Sequence, residues 1–153
     1  MAKAVLVDVT RCIGCRSCQI ACKAWHELEA RYAPIEGEFT SPKQKSSDCY
    51  TVIRFYEAGD AKEPIWNFVK DQCLHCHDPA CVSACPVGAL KKTDSGAVVY
   101  DQWRCIGCRY CMVACPFQVP KYEWFTTNPW VQKCNFCAER IEAGKEPACV
   151  QAC

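Results

Sequence analysis

The sequence contains no uninterrupted run of eighteen apolar residues, which excludes a membrane-spanning helix within its 153 residues. Aliphatic mass is scarce too. The hydrophobic fraction is 50%, but 17 of those residues are cysteine; without them it falls to roughly two-fifths, slightly low for an ordinary core. Charge of one sign is equally lacking. The 18 Lys and Arg stand against 17 Asp and Glu, a formal net charge of +1, and no basic stripe marks a nucleic-acid face. The opening MAKAVLVDVT has no charged segment followed by an apolar run and a cleavage site, so no cleavable leader is expected there.

What the chain has instead is cysteine, at a density that signals either a disulfide scaffold or a metal protein. Sixteen fall into four groups, and Cys49 stands apart. Group one is Cys12, Cys15, Cys18 and Cys22; group two is Cys73, Cys76, Cys81 and Cys85; group three is Cys105, Cys108, Cys111 and Cys115; group four is Cys134, Cys137, Cys149 and Cys153. Groups one and three share the spacing C-x2-C-x2-C-x3-C, the bacterial ferredoxin run. Group two carries two extra residues, and group four opens a long gap before its third cysteine. An internal repeat runs through the pattern: DVTRCIGCRSCQIAC, from Asp8, matches DQWRCIGCRYCMVAC, from Asp101. In every group the last cysteine follows an alanine (Ala21, Ala84, Ala114, Ala152), read as room for close approach.

A [4Fe–4S] cube needs four thiolates arranged tetrahedrally. A C-x2-C-x2-C loop bends round one cube, supplies three of them and aims backbone N–H groups at sulfur. Gly14 and Gly107 suit the tight turn this demands. The fourth cysteine is carried off on a short helix, and in two-cluster ferredoxins it ligates the other cube. Zinc, as in a zinc-stabilised interaction module, uses pairs of C-x2-C knuckles, which only the start of group four resembles. A disulfide framework conflicts with the odd total and the dense tiling, and thioredoxin chemistry needs one reactive pair, not sixteen ligands. Four cubes, each about −2 with its ligands when oxidised, would add about −8, which the Lys and Arg residues partly offset.

Local signals place short strands at residues 4–9, 50–56, 64–69 and 98–100, with a polar turn over 57–63 and a tight turn over 93–96. Residues 32–48 read as a surface loop. Short helices are expected over 18–28, 80–85, 111–115 and 138–143, the last stopping at Gly144.

With CLHCHDPACVSACP as group two, CNFC followed by EPACVQAC as group four, and WRCIGCRYCMVACPFQVPKY between them, the chain resembles the four-cluster ferredoxin-like beta subunits of respiratory oxidoreductases. It is most similar to those of formate dehydrogenase and of hydrogenase, alongside the dimethyl sulfoxide reductase relatives. The resemblance implies an α+β fold of two pseudo-symmetric ferredoxin-like modules with short strands and helices and an inserted β-hairpin. One module would comprise residues 1–31 and 117–153, the other residues 73–116, with loop and hairpin over 32–72. It also implies the ligand sets: Cys12, Cys15, Cys18 and Cys153 (cluster A); Cys22, Cys134, Cys137 and Cys149 (cluster B); Cys73, Cys76, Cys81 and Cys115 (cluster C); Cys85, Cys105, Cys108 and Cys111 (cluster D).

The function so implied is electron relay with no catalytic centre of its own. The partners would be a molybdenum or tungsten oxidoreductase subunit and a membrane cytochrome or quinone-binding subunit, in a complex to which this chain is peripheral, on the periplasmic or the cytoplasmic side. A [NiFe] hydrogenase partner and a free-standing soluble polyferredoxin are the alternatives. Family members continue past the last ligand, so a longer natural chain is expected.

Arg16, Arg109, Lys23, Lys133 and Arg140 lie beside ligands and read either as cations that raise cluster potential or as solvated charges. His26, His75 and His77 read as hydrogen-bonding or packing residues, since each group already has four cysteines. Trp103, Trp124, Phe125 and Trp130 are assigned to core packing, and Cys49 to a buried free thiol.

Overall fold

The computed structural model describes residues 2–30 and 39–153. Part of the loop expected over 32–48 therefore lies outside the described residues. Among the described residues there are five short α-helices: α1 (Ser17–Trp25), α2 (Ala80–Ser83), α3 (Tyr110–Ala114), α4 (Ala138–Glu142) and α5 (Ala148–Gln151). Six strands among the described residues pair into three antiparallel hairpins: β1 (Val52–Gly59) with β2 (Pro64–Asp71), β3 (Leu90–Lys92) with β4 (Val98–Tyr100), and β5 (Lys121–Tyr122) with β6 (Val131–Gln132). This is the small mixed α/β architecture expected of ferredoxin-like iron–sulfur proteins.

The helices follow two starting plans. α1 and α3 begin after an arginine in the left-handed region, Arg16 at φ 62° and Arg109 at φ 65°. α2 and α5 begin after Pro79 and Pro147, whose carbonyls accept from Val82 N (2.8 Å) and Val150 N (2.9 Å). Each packed pair takes one helix of each plan: α1 rests on α5, and α2 on α3. Gly144 ends α4 at φ +74°; its N–H donates to Ile141 O (3.0 Å) and that of Lys145 to Arg140 O (2.8 Å), a Schellman closure.

The β1–β2 hairpin is longer than expected from sequence because pairing continues to Glu57↔Trp66 and Gly59↔Pro64 before the chain turns. The Asp60 carboxylate closes that turn by accepting from Lys62 N (2.8 Å) and Glu63 N (2.9 Å). The root of the hairpin is anchored. Val52 and Ile53 are buried, Gln19 Oε1 of α1 accepts from Ile53 N (2.7 Å), and Thr40 Oγ1 accepts from Phe55 N (2.9 Å). The β1 edge thus finds side-chain partners.

Residues 4–9 are a correction: they alternate in burial as a strand would, but pair with nothing as a ladder. The segment is held from its start by Lys3 N donating to Ser95 O (2.9 Å), and Val5 packs on Ala97, Phe136 and Ile141. Among the described residues the apolar interior is divided into three small clusters. The first joins Leu90, Val98, Cys111, Tyr122 and Val131; the second Cys22, Tyr50 and Cys134; the third Ala97, Phe136 and Ile141. Cysteine is part of two of the three.

Candidate metal centre

The first C-x2-C loop of each group places the residue before its second cysteine in the left-handed region: Gly14 (φ 68°), His75 (φ 48°), Gly107 (φ 69°) and Phe136 (φ 64°). That reversal turns the residue's own N–H back toward the first sulfur of the loop. Gly107 N donates to Cys105 Sγ and Phe136 N to Cys134 Sγ, both at 3.4 Å, and His75 N acts likewise on Cys73. Glycine meets this demand without steric cost in groups one and three; histidine and phenylalanine bear it in groups two and four.

One cavity is lined by Cys22, Cys134, Cys137 and Cys149, with Thr51, Gln72, His26 and Phe136 on its walls. Another is lined by Cys85, Cys105, Cys108 and Cys111, with Leu90, Tyr100, Tyr122 and Val131. The chain thus brings together two of the tetrads that the resemblance implied. For the other two, the neighbours are partial: Cys18 feels the charges of Cys15 and Cys153, and Cys81 those of Cys73 and Cys115.

Burial pushes the thiols of Cys22 and Cys134 up to about 12 and that of Cys111 to about 11. Such buried sulfurs become thiolates only where a cation compensates them. Cys85 runs the other way. Burial raises it, but the N–H groups of Leu90, Ala89, Val87 and Gly88 more than offset this, and Ala89 N lies 3.2 Å from its Sγ. Among the described residues, two buried side-chain polar atoms lack a hydrogen-bond partner, Thr51 Oγ1 and Tyr100 OH. Each lines one of the two cysteine cavities, and each lies near enough a thiol (Cys22, Cys105) to act on it. All-sulfur donor sets, aimed N–H groups and stranded hydroxyls suit a polynuclear iron–sulfur centre.

Two 4Fe-4S dicluster domain models match the chain, over residues 64–153 and 11–89. The chain belongs to the 4Fe-4S dicluster family. Two dicluster domains give it four [4Fe–4S] clusters. Among its relatives is the iron–sulfur subunit of the nitrate-inducible formate dehydrogenase of Escherichia coli K12, 39% identical over 98% of this chain and 51% of that protein. The formate dehydrogenase-O iron–sulfur subunit of the same organism is 40% identical, over 98% and 50%. The hydrogenase-2 operon protein HybA of Escherichia coli O157:H7 is also 40% identical, over 97% and 48%. The chain spans about half the length of these relatives. No helix among the described residues is long and apolar enough to cross a membrane.

The cations beside the ligands are engaged rather than simply solvated. The guanidinium groups of Arg16, Arg109 and Arg140 lie over the rings of Phe55 (4.7 Å), Trp124 (4.5 Å) and Trp25 (4.6 Å). Lys23 Nζ donates to Glu29 O (2.8 Å) and Asp48 O (2.7 Å). Lys133 is buried, donating to Val98 O and to Cys134 O (2.8 Å). Cys49 is a buried thiol bonded to Thr51 O (3.3 Å), as expected.

Two expectations are corrected. Trp103, Trp124, Phe125 and Trp130 are exposed, at 88%, 55%, 77% and 47%, because they sit on a single 3₁₀ turn and on the irregular chain between β5 and β6. Ala152 is exposed as well, so close approach does not explain the fourth alanine. Sequence reasoning missed Thr51, Gln72, Tyr100 and Tyr122, which line the cavities; no local spacing marks them.

Proposed function

We propose that this chain is the electron-relay part of a formate dehydrogenase- or hydrogenase-type complex, with its sixteen grouped cysteines as the ligands. The proposed sets are Cys12, Cys15, Cys18 and Cys153; Cys22, Cys134, Cys137 and Cys149; Cys73, Cys76, Cys81 and Cys115; and Cys85, Cys105, Cys108 and Cys111. The observation that carries this reading is the pair of cavities, each walled by one cysteine of one group and three of another. The packing of α1 on α5 and of α2 on α3 supports two pseudo-symmetric modules, residues 1–31 with 117–153 and residues 73–116, with the β1–β2 hairpin inserted between.

When bound, the clusters pass single electrons between a donor and an acceptor across the protein. The chain's own residues hold them apart, screen them from water and set their potentials. Left-handed loop residues aim N–H groups at sulfur, and Lys133 places a buried cation beside Cys134. No bond chemistry is assigned to the chain itself. The partners in this reading are a molybdopterin-type catalytic subunit and a membrane cytochrome or quinone-binding subunit, with the chain peripheral to the membrane. Similarity to the hydrogenase-2 operon protein keeps a [NiFe] catalytic partner as the second reading.

Anaerobic purification of the tagged chain from its own cells tests this. About sixteen irons and as many sulfides per chain are expected. A large partner should travel with it, carrying pterin for the first reading and nickel for the second. Cys111→Ala should lose about a quarter of the iron, and Cys49→Ala none. A colourless chain without iron, or an iron-loaded chain that is always monomeric, overturns the proposal.

A further inference from the structure

His75 stands where the group-two loop meets group four. It is buried, and its ring is held at both nitrogens. The Val98 N–H donates to Nδ1 at 2.9 Å, so Nδ1 carries no proton and the ring hydrogen resides on Nε2. Nε2 lies 3.4 Å from Cys134 Sγ, a residue 59 positions away in the chain. The orientation is fixed on every side. Phe136 packs against the imidazole at 4.9 Å between centroids, and Lys92 Nζ donates to the carbonyls of His75 (2.6 Å) and Cys76 (2.8 Å). From the opposite side Lys133 ties Val98 O to Cys134 O, closing a ring of contacts through His75, Val98, Lys133 and Cys134.

We propose that His75 is a positioning residue that donates its Nε2–H to Cys134 Sγ and thereby raises the reduction potential of the cluster Cys134 ligates, linking that cluster to the one held by His75's own loop. The inference rests on the functional reading in which Cys134 ligates one cluster and Cys73 and Cys76 its neighbour. An N–H···S bond stabilises the more electron-rich, reduced state, so the donor shifts potential upward. Cys134 also accepts from Phe136 N, so a backbone donor and a side-chain donor meet on one sulfur. The ring also supplies a bonded bridge between two loops that the sequence keeps apart. His26 offers a control, since its Nε2 is 4.0 Å from Cys137 Sγ of the same tetrad.

The test uses the full iron-loaded chain, handled anaerobically. With ¹⁵N-labelled histidine, pulsed electron paramagnetic resonance of the reduced wild type should show a ring-nitrogen coupling to one cluster. That coupling should persist in His26→Leu and vanish in His75→Gln. In redox titrations, His75→Leu should lower the midpoint of one cluster and leave three in place, and His75→Gln, whose amide N–H still reaches toward sulfur, should recover part of the shift. If His75→Leu fails to load iron, the wild-type coupling and the glutamine variant decide the matter. A fully loaded wild type without the coupling, or a loaded His75→Gln that keeps it, overturns this inference alone. Unchanged midpoints in His75→Leu do the same. A wild-type chain without iron–sulfur clusters overturns both this and the functional reading.

Discussion

Gly14 and Gly107 occupy matching places in the repeat and have the same backbone conformation, φ +68° and φ +69°, but different surroundings. A Cβ at Gly14 would lie 2.8 Å from Phe68 Cδ1 on β2, whereas one at Gly107 would meet nothing within 4 Å. Gly107→Ala therefore pays only for the left-handed backbone, about 1 kcal/mol. Gly14→Ala must also displace the Phe68 ring, and is expected to lose about 2–3 kcal/mol. Denaturant titration of the two iron-loaded variants, followed by cluster absorbance, checks this; equal losses would refute the difference. The need for a left-handed residue at both positions is legible in the spacing of the repeat. The ring of Phe68, more than fifty residues away, is not.

Between elements, the side chain of Gln19 joins the helix that carries Cys18 and Cys22 to the edge of the hairpin. Gln19 is buried; its Oε1 accepts from Ile53 N at 2.7 Å in the interior, and its Nε2 donates to Ser41 O at 3.3 Å in a half-buried setting. Gln19→Leu leaves the Ile53 N–H buried and unpaired, at a cost of about 1–3 kcal/mol. A loss within about 0.5 kcal/mol of zero in anaerobic denaturation would show that water replaces the bond. The hairpin and the helices expected over residues 18–28, 80–85, 111–115 and 138–143 are readable from apolar alternation and cysteine spacing. The two-residue strands β5 and β6 and the four-residue helix α5 are not, because elements this short depend on tertiary partners rather than on periodicity.

For the molecule as a whole, the interior is thin. Its accessible surface is 9954 Å², against about 7,800 Å² for a compact protein of this size, and its three apolar clusters are small. Cysteines of the proposed ligand sets sit inside two of them, so in that reading removing iron strips contacts from the core as well as from the site. Iron chelation under reducing conditions is expected to abolish the near-ultraviolet circular dichroism and to expose dye-binding apolar surface. A metal-free chain that keeps its aromatic signal would show that packing suffices without metal.

Within a few residues, backbone stereochemistry dictates conformation. Spacing by itself therefore determined the donor type and the tight turns at Gly14 and Gly107. Convergence across the chain is set by packing and carries no local signature. Only the tertiary structure decided that Thr51 and Tyr100 line the cysteine cavities and that His75 reaches Cys134. It also left four tryptophan and phenylalanine side chains in solvent, where composition had assigned them to the core.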